Sequence, residues 1–239
     1  TMKWDMRKLD DLWVINSVSG KRPELETYKY QMPGEPGPKG YLYMFTMNDS
    51  RTEASFKQIK SQAFKDQEVS LQSARRTAKD NYLDFWKNEL LGDNSGFYLV
   101  RQSRDLKRLD LCWVGVDSDS TKTIISERER TYVEYRTPFL IGGGKQILHW
   151  SERNGWANIY LYNNDGTLVK NLTDGAFHVE DILGVNEKEG YILLSACGVN
   201  KDENPYQMHT FRVPLTGGTL QQLDMNDMDV LSTASDDAK

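Results

Sequence analysis

The 239-residue sequence has few cysteines, no long apolar run and no excess of positive charge. Its two cysteines, Cys112 and Cys197, lie in separate apolar segments, which excludes a dense disulfide framework and favours two buried thiols. No run is long enough to cross a bilayer, and residues 1–13 lack the apolar core of a signal peptide. The net charge of −5 argues against nucleic acid as a partner. We therefore expect no membrane segment and no nucleic-acid partner.

Aromatic residues are plentiful although the chain is polar on average. Hydrophobic residues make up 38% of the sequence, and six Trp and twelve Tyr stand among them. Disordered chains are poor in aromatics, so the composition indicates a folded protein. Many short, half-buried strands have this composition, and the length allows a core without disulfide or metal support.

Short strands separated by turn signals recur along the chain, while long helical periodicity is scarce. The same plan of strand, polar connection, strand, tight turn and strand occurs in residues 96–128, 145–175 and 190–223. Asp165-Gly166 and Gly217-Gly218 are strong hairpin signals because both pairs tolerate positive φ. One more candidate strand precedes each of the last two stretches. Four strands repeated at roughly 45 to 50 residues are typical of a propeller blade.

The repeats predict an all-β fold, a partial β-propeller of four-stranded antiparallel blades. The alternation of Ile159 and Leu161 with Tyr160 and Tyr162 fits a sheet that is covered on both faces by neighbouring blades. The predicted division is residues 1–21 as the last strand of a preceding blade, 40–128 as an irregular blade with an insertion, 137–175 and 177–224 as blades, and 225–239 as the start of a next blade.

The irregular N-terminal third contains three further predicted elements. Strands are expected at residues 41–47 and 67–72. Helical spacing predicts a short helix, and the residues with that spacing are Tyr82, Phe85, Trp86 and Leu90.

One stretch carries a specific family resemblance. Residues 151–190, SERNGWANIYLYNNDGTLVKNLTDGAFHVEDILGVNEKEG, resemble the N-terminal propeller of the dipeptidyl peptidase IV family in the prolyl oligopeptidase clan. The pattern of SER, Asp or Asn, GW, IYLY, DG and LT-G is the family hallmark. Residues 11–35 and 101–115 also resemble the family, so the likeness extends over nearly all of the chain.

The resemblance implies a two-part enzyme that joins an eight-bladed propeller to a C-terminal α/β-hydrolase domain with Ser, Asp and His. The family removes dipeptides from peptide N-termini, often after Pro or Ala, and its bacterial members are usually exported. The chain is then expected to be a non-catalytic propeller fragment that gates and positions peptide substrates. Its partners would be those substrates and the hydrolase domain, and its location would be periplasmic or secreted.

The sequence lacks the residues that the chemistry of the family needs. A hydrolase of this kind requires a G-x-S-x-G elbow, which occurs nowhere in the chain. The family also binds the substrate ammonium group with two adjacent glutamates, and no Glu-Glu pair is present. We therefore expect no catalytic residue, and a chain that is inactive alone.

One family contact has a counterpart in TYVEYRTPFL. The resemblance implies that Tyr135 and Arg136 line the pocket for the second substrate residue, with Arg136 holding a substrate carbonyl and Glu134 orienting Arg136. The alternative is a structural aromatic beside a solvated ion pair in a loop between blades. Glu180 or Asp181, at the start of a strand, is a further possible substrate contact.

Other conspicuous residues favour structural roles. The spacing of His149, His178 and His209 does not match zinc ligands, so we expect no metal and no cofactor. Residues 142–145, GGGK, lack the pattern of a phosphate loop and predict a hairpin turn. Residues 127–130 have mixed charge and predict a solvated connection. Trp150 and Trp156 are expected to pack between blades.

Two other functions remain open at this level. The first is a stand-alone propeller-like module that binds peptides or proteins without a peptidase partner, and the weaker one is a complete small enzyme. A partial ring leaves unpaired strand edges, so the isolated chain is also expected to associate as a homo-oligomer.

Overall fold

The computed structural model describes residues 4–9, 12–17, 42–48, 50, 52–65, 67–71, 96–225, 228–235 and 238. These residues form four antiparallel sheets of four strands each, and the strands of every sheet pair in chain order. The predicted all-β class and the four-stranded antiparallel unit are confirmed. Across the described ranges, no helix reaches the length and apolarity that a membrane crossing requires.

The strand bounds define the four sheets. Sheet one contains β1 (Trp4–Leu9), β2 (Leu12–Ser17), β3 (Leu42–Met47) and β4 (Ala54–Gln58). Sheet two contains β5 (Gln67–Leu71), β6 (Gly96–Ser103), β7 (Arg108–Gly115) and β8 (Lys122–Arg128). Sheet three contains β9 (Phe139–Ile141), β10 (Gln146–Ser151), β11 (Asn158–Asn163) and β12 (Leu168–Asn171). Sheet four contains β13 (His178–Asn186), β14 (Tyr191–Cys197), β15 (Met208–Pro214) and β16 (Gln221–Gln222).

The N-terminal division differs from the prediction. Residues 1–21 were expected to supply one last strand, yet they contain β1 and β2, which begin a sheet of their own. Residues 42–58 complete that sheet through β3 and β4, so the predicted blade 40–128 is divided between sheets one and two. Asn16 pairs with Leu42, which is far along the chain, and local sequence patterns do not predict a pairing over such a separation. The charges in WDMRKL also gave β1 a weak strand signal.

The helix predicted from Tyr82 to Leu90 lies outside the described residues. The strand predicted at 67–72 is present as β5, and the one at 41–47 as β3.

Apolar side chains fill the space between successive sheets. In β6, Phe97 and Leu99 belong to the core shared with sheet one, whereas Tyr98 and Val100 belong to the core shared with sheet three. The same period of two puts the aliphatic and the aromatic residues of β11 into different cores, as predicted. Successive sheets therefore stack face to face, and each central strand contributes to two cores.

Tight turns join the strands where the sequence predicted them. Gly166 has φ +96° in the β11–β12 turn, and a Cβ there would lie 2.5 Å from the carbonyl oxygen of Ile124 in sheet two. The glycines at 142–144 form a 3-10 turn between the paired strands β9 and β10, which confirms the predicted hairpin.

The C-terminal residues lie against sheet four. The described residues 228–235 and 238 carry no strand, although 225–239 was predicted to begin a next blade. Ala234 and Ala238 pack with Tyr191 and Leu193, and the Tyr191 hydroxyl donates to the Ala238 carbonyl oxygen at 2.8 Å. This segment covers part of the sheet-four face that points away from sheet three.

Candidate functional site

Arg136 is the centre of the candidate site. It lies in the connection between β8 and β9, and its Nη2 is 2.7 Å from Glu134 Oε1 and 3.1 Å from Glu180 Oε1. All three side chains are about a third exposed, at 35%, 36% and 41%. Two carboxylates from separate parts of the chain therefore hold one accessible guanidinium.

Trp150 supports the guanidinium from sheet three. The Arg136 guanidinium carbon lies 5.5 Å from the Trp150 ring centroid, in the range of a cation–π contact. The indole Nε1 donates to the Val179 carbonyl oxygen at 2.6 Å, which fixes the ring against β13. Trp150 is buried between sheets three and four, as predicted.

Glu180 links Arg136 to a histidine. Its Oε2 is 3.2 Å from His178 Nε2, while its Oε1 contacts Arg136. The His178 ring also meets Trp150 edge-on, with centroids 6.1 Å apart. Sequence patterns placed Glu180 near the start of a strand, and the structure adds its contact with Arg136.

Tyr135 points in a different direction from its neighbour. It packs against the core between sheets two and three, and its hydroxyl oxygen is buried. Burial raises the pKa of Tyr135 far above its ordinary value, and the Thr137 side chain acts weakly in the opposite sense. Tyr135 thus anchors the connection, while Arg136 carries the accessible charge.

The chemistry available at this site is polar recognition. A guanidinium donates to carbonyl or carboxylate oxygens, and the flanking carboxylates attract cationic or N–H groups. Arg136 Nε is buried and has no hydrogen-bond partner within the described part of the chain. Arg136, Glu134 and Glu180 together offer one cationic donor and two anionic acceptors.

A second charged group, missed by sequence reasoning, lies buried between sheets two and three. Glu127 Oε1 is 2.9 Å from His149 Nε2 and also accepts from Arg153 Nη2. Burial opposes ionisation of Glu127, but His149 and Arg153 outweigh it and hold the pKa of that carboxyl below its usual range. The prediction of a solvated connection at 127–130 is therefore wrong for Glu127, which is 6% exposed.

Arg153, the last residue of the SER motif, connects sheet two to sheet three. It donates to Glu127 in sheet two and to the hydroxyl of Tyr162 in sheet three, and its guanidinium lies 4.5 Å from the Tyr160 ring centroid. Trp156, by contrast, is 47% exposed, so its predicted packing between blades is wrong.

Asn158 organises the rest of the same motif. It is fully buried, and its Oδ1 accepts from Thr173 Oγ1 at 2.8 Å and from Gly175 N at 3.1 Å. Its Nδ2 donates to the carbonyl oxygens of Trp156 and Gly175, both at 3.2 Å. The GW turn and the LT-G segment are thereby tied together.

The three histidines, which were not expected to bind a metal, lie on three different strands. His149 is in β10, His178 begins β13 and His209 is in β15. Over the residues that the structure covers, no group of three or more His, Cys, Asp or Glu side chains is arranged to hold a metal ion.

Comparison with known proteins assigns this architecture. The family model described as "Dipeptidyl peptidase IV (DPP IV) N-terminal region" matches residues 3–239. Porphyromonas gingivalis dipeptidyl peptidase 4 matches 90% of this chain with a TM-score of 0.61 and 18% identity. A putative dipeptidyl aminopeptidase IV from Bacteroides ovatus matches 92% with a TM-score of 0.57 and 16% identity. The chain spans 29% of the length of each, and the likeness identifies the four sheets as blades of a partial propeller.

Proposed function

The chain belongs to the family of dipeptidyl peptidase IV N-terminal regions, and we propose that it is a non-catalytic propeller segment that positions peptide substrates for a serine hydrolase domain. In this role it gates access to the hydrolase and holds the peptide near its N-terminus. The sequence contains no G-x-S-x-G elbow, so the nucleophile is assigned to the hydrolase domain.

The observation that carries the proposal is the fixed but accessible guanidinium of Arg136. Glu134 and Glu180 restrain it from two sides, and the Trp150 ring lies beneath it. A restrained donor loses little conformational freedom when it binds a carbonyl oxygen, which favours affinity. Arg136 then donates to a substrate carbonyl, and Tyr135 holds the connection in place.

Peptide binding by the 239-residue chain tests this role. Peptides that begin Ala-Pro or Gly-Pro should bind the chain in calorimetric titration. Arg136→Ala should weaken that binding about tenfold or more, because a charge-assisted hydrogen bond contributes about 1.5–3 kcal/mol. Arg130→Ala removes an exposed arginine near the start of the same β8–β9 connection and should leave the affinity unchanged.

Two results would contradict the assignment. Equal affinity of Arg136→Ala and the unmodified chain would remove Arg136 from the substrate site. Hydrolysis of Gly-Pro or Ala-Pro amides by the pure chain would instead establish a complete small enzyme. In an enzyme that includes the hydrolase domain, Arg136→Ala should raise KM for dipeptide substrates.

The coding sequence around this segment distinguishes a peptidase from a stand-alone peptide-binding module. A downstream coding segment with G-x-S-x-G, followed by Asp and His, identifies the peptidase. An authentic start codon and an authentic stop codon bounding this segment identify the module. Export to the periplasm or medium is part of the same proposal, and cell fractionation tests it.

A further inference from the structure

His209 lies between two carboxylates at the end of sheet four. It is in β15 and 1% exposed, with Nδ1 2.6 Å from Asp224 Oδ1 and Nε2 3.2 Å from Glu203 Oε2. Asp224 follows β16, and Glu203 lies in the connection between β14 and β15. The ring therefore joins three segments of the chain.

The two contacts together require the charged ring. An ionised carboxylate only accepts hydrogen bonds, and a neutral imidazole has one N–H. A neutral His209 would therefore face one of its two carboxylates with a lone pair. Asp224 and Glu203 are the charged groups that act on the ring.

The Thr210 backbone amide and the Gln222 side-chain amide also contact the His209–Asp224 pair. Asp224 also accepts from Thr210 N at 2.6 Å and from Gln222 Nε2 at 2.9 Å. Gln222 Nε2 lies 3.1 Å from Nδ1 as well, so a ring that has lost its Nδ1 proton gains a competing donor. Glu203 Oε1 is buried without a hydrogen-bond partner among the described residues. Asp224 therefore has two neutral donors besides His209, whereas Glu203 has His209 as its hydrogen-bond partner.

The C-terminal segment is attached beside this group. Met208 N donates to Asp229 Oδ1 at 2.8 Å, and Val230 N donates to the Met208 carbonyl oxygen at 2.9 Å. From there the segment continues to Ala234 and Ala238, which lie over Gly184 on the face of sheet four. The segment that covers this face is therefore hydrogen-bonded directly to β15 beside His209.

We propose that His209 is a pH-sensitive latch. In its charged form the ring holds the 198–207 connection and residues 221–224 to β15. Loss of its proton breaks one carboxylate contact and loosens both segments, together with the C-terminal residues 228–235 attached beside them.

The direction in which pH opens the latch follows from the pKa shifts of His209 and Asp224. Burial acts to lower the pKa of His209, but Asp224 and Glu203 outweigh it and raise that pKa above its ordinary 6.5. Burial acts to raise the pKa of Asp224, whereas the Thr210 amide, Gln222 and His209 lower it below 3.8. The latch is therefore fully closed near pH 6 and opens as the pH rises through the raised pKa of His209.

Hydrogen–deuterium exchange of the 239-residue chain, read by mass spectrometry from pH 6 to pH 10, tests the latch. After correction for intrinsic exchange, protection of 198–207, 221–225 and 228–235 should fall by up to about tenfold per pH unit above the pKa of His209. Peptides from β10 and β11 should keep their protection and so exclude global unfolding.

Glu203→Gln is the decisive variant. A glutamine amide donates to an unprotonated Nε2 while Nδ1–H still donates to Asp224, so both contacts survive deprotonation. Its protection should change less than about twofold over this range, by the same linkage. Glu152→Gln, an exposed charge change in another turn, should behave like the unmodified chain.

The ring itself provides a second readout. A nuclear magnetic resonance titration should give His209 a pKa above 6.5, and Glu203→Gln should lower it. Protection that is flat across the range, an equal loss in Glu203→Gln, or a His209 pKa at or below 6.5 would each overturn the proposal.

Discussion

His149 Nε2 lies 2.9 Å from Glu127 Oε1, and this contact joins sheet three to sheet two inside the core between them. Both side chains are almost completely buried. Arg153 donates to the same carboxylate oxygen from the edge of the site. One acidic side chain therefore joins two side chains of the neighbouring blade.

Removal of Glu127 should be strongly destabilising. Glu127→Ala leaves Arg153 without its counter-charge and the buried His149 Nε2 without its hydrogen-bond partner, and breaking a buried pair from one side costs about 3–5 kcal/mol. Urea unfolding should record this loss in the free energy of unfolding. Glu152→Ala, an exposed control, should change it by less than about 0.5 kcal/mol. An equally small change for Glu127→Ala would contradict a structural role for the pair.

The same carboxylate should make stability depend on acid. Because its folded pKa lies below the ordinary 4.5, the stability that Glu127 contributes is complete above about pH 4.5 and is lost as the pH falls through the lowered value. Glu127→Gln should lack this part of the acid-side loss. Unfolding curves measured between pH 3 and pH 7 compare the two proteins.

Asn158 should tolerate neither truncation nor loss of its donor. Asn158→Ala leaves several buried partners unsatisfied, each costing about 1–3 kcal/mol. Asn158→Asp keeps the acceptor for Thr173 and Gly175 N but loses the donor to two carbonyl oxygens. Both variants should unfold at lower temperature, and Asn164→Ala, at an exposed turn position, should not.

Alanine substitutions at two glycines with positive φ should distinguish the cost of backbone strain from the cost of a steric clash. Gly166→Ala combines left-handed backbone with a Cβ 2.5 Å from the Ile124 carbonyl oxygen, whereas the Cβ of Gly143→Ala meets open space. Strain alone costs about 1–2 kcal/mol, so Gly143→Ala should lose that amount and Gly166→Ala clearly more. Equal losses in thermal unfolding would show that the contact with Ile124 does not constrain the turn.

The hydrogen bond from the Trp150 indole nitrogen should stabilise the fold. Trp150→Phe keeps an aromatic ring under Arg136 but leaves the buried Val179 carbonyl oxygen without its donor, at a cost of about 1–3 kcal/mol. Trp156→Phe is the matched control because Trp156 is half exposed. Denaturant unfolding should separate the two variants, and indistinguishable midpoints would refute the role of the Trp150 hydrogen bond.

Association of the isolated chain should proceed through strand edges. β12 ends the strand order of sheet three, and its Leu168 and Val169 are 48% and 46% exposed. Exposed apolar edges invite pairing between chains, and lysine on an edge opposes it. Sedimentation should detect dimers or larger species that Val169→Lys reduces and Tyr206→Lys, in a loop, does not. A chain that stays monomeric at high concentration would contradict this prediction.

Local pattern and composition were sufficient for much of the fold. Strands such as β10, β11 and β14 were predictable because apolar residues repeat within a few positions and turn residues follow them. The distribution of the β11 residues between two cores also followed from the period of two in a strand. Tyr135, Arg136 and Glu134 were chosen as candidate site residues through the family resemblance, and their role in substrate binding stays a prediction.

Contacts between distant segments were decided by tertiary structure. The pairing of β2 with β3 spans a long connection, and no local pattern encodes it. The burial of Glu127, the bridge from Glu180 to Arg136 and the position of His209 between two carboxylates all join residues on different strands or loops. A charged residue has the same sequence signal whether it is solvated or buried with a partner. The sequence by itself determined the strands and hallmark turns of sheets three and four, because their signals are local, and the packing of one blade on the next determined which charged side chains are buried and paired.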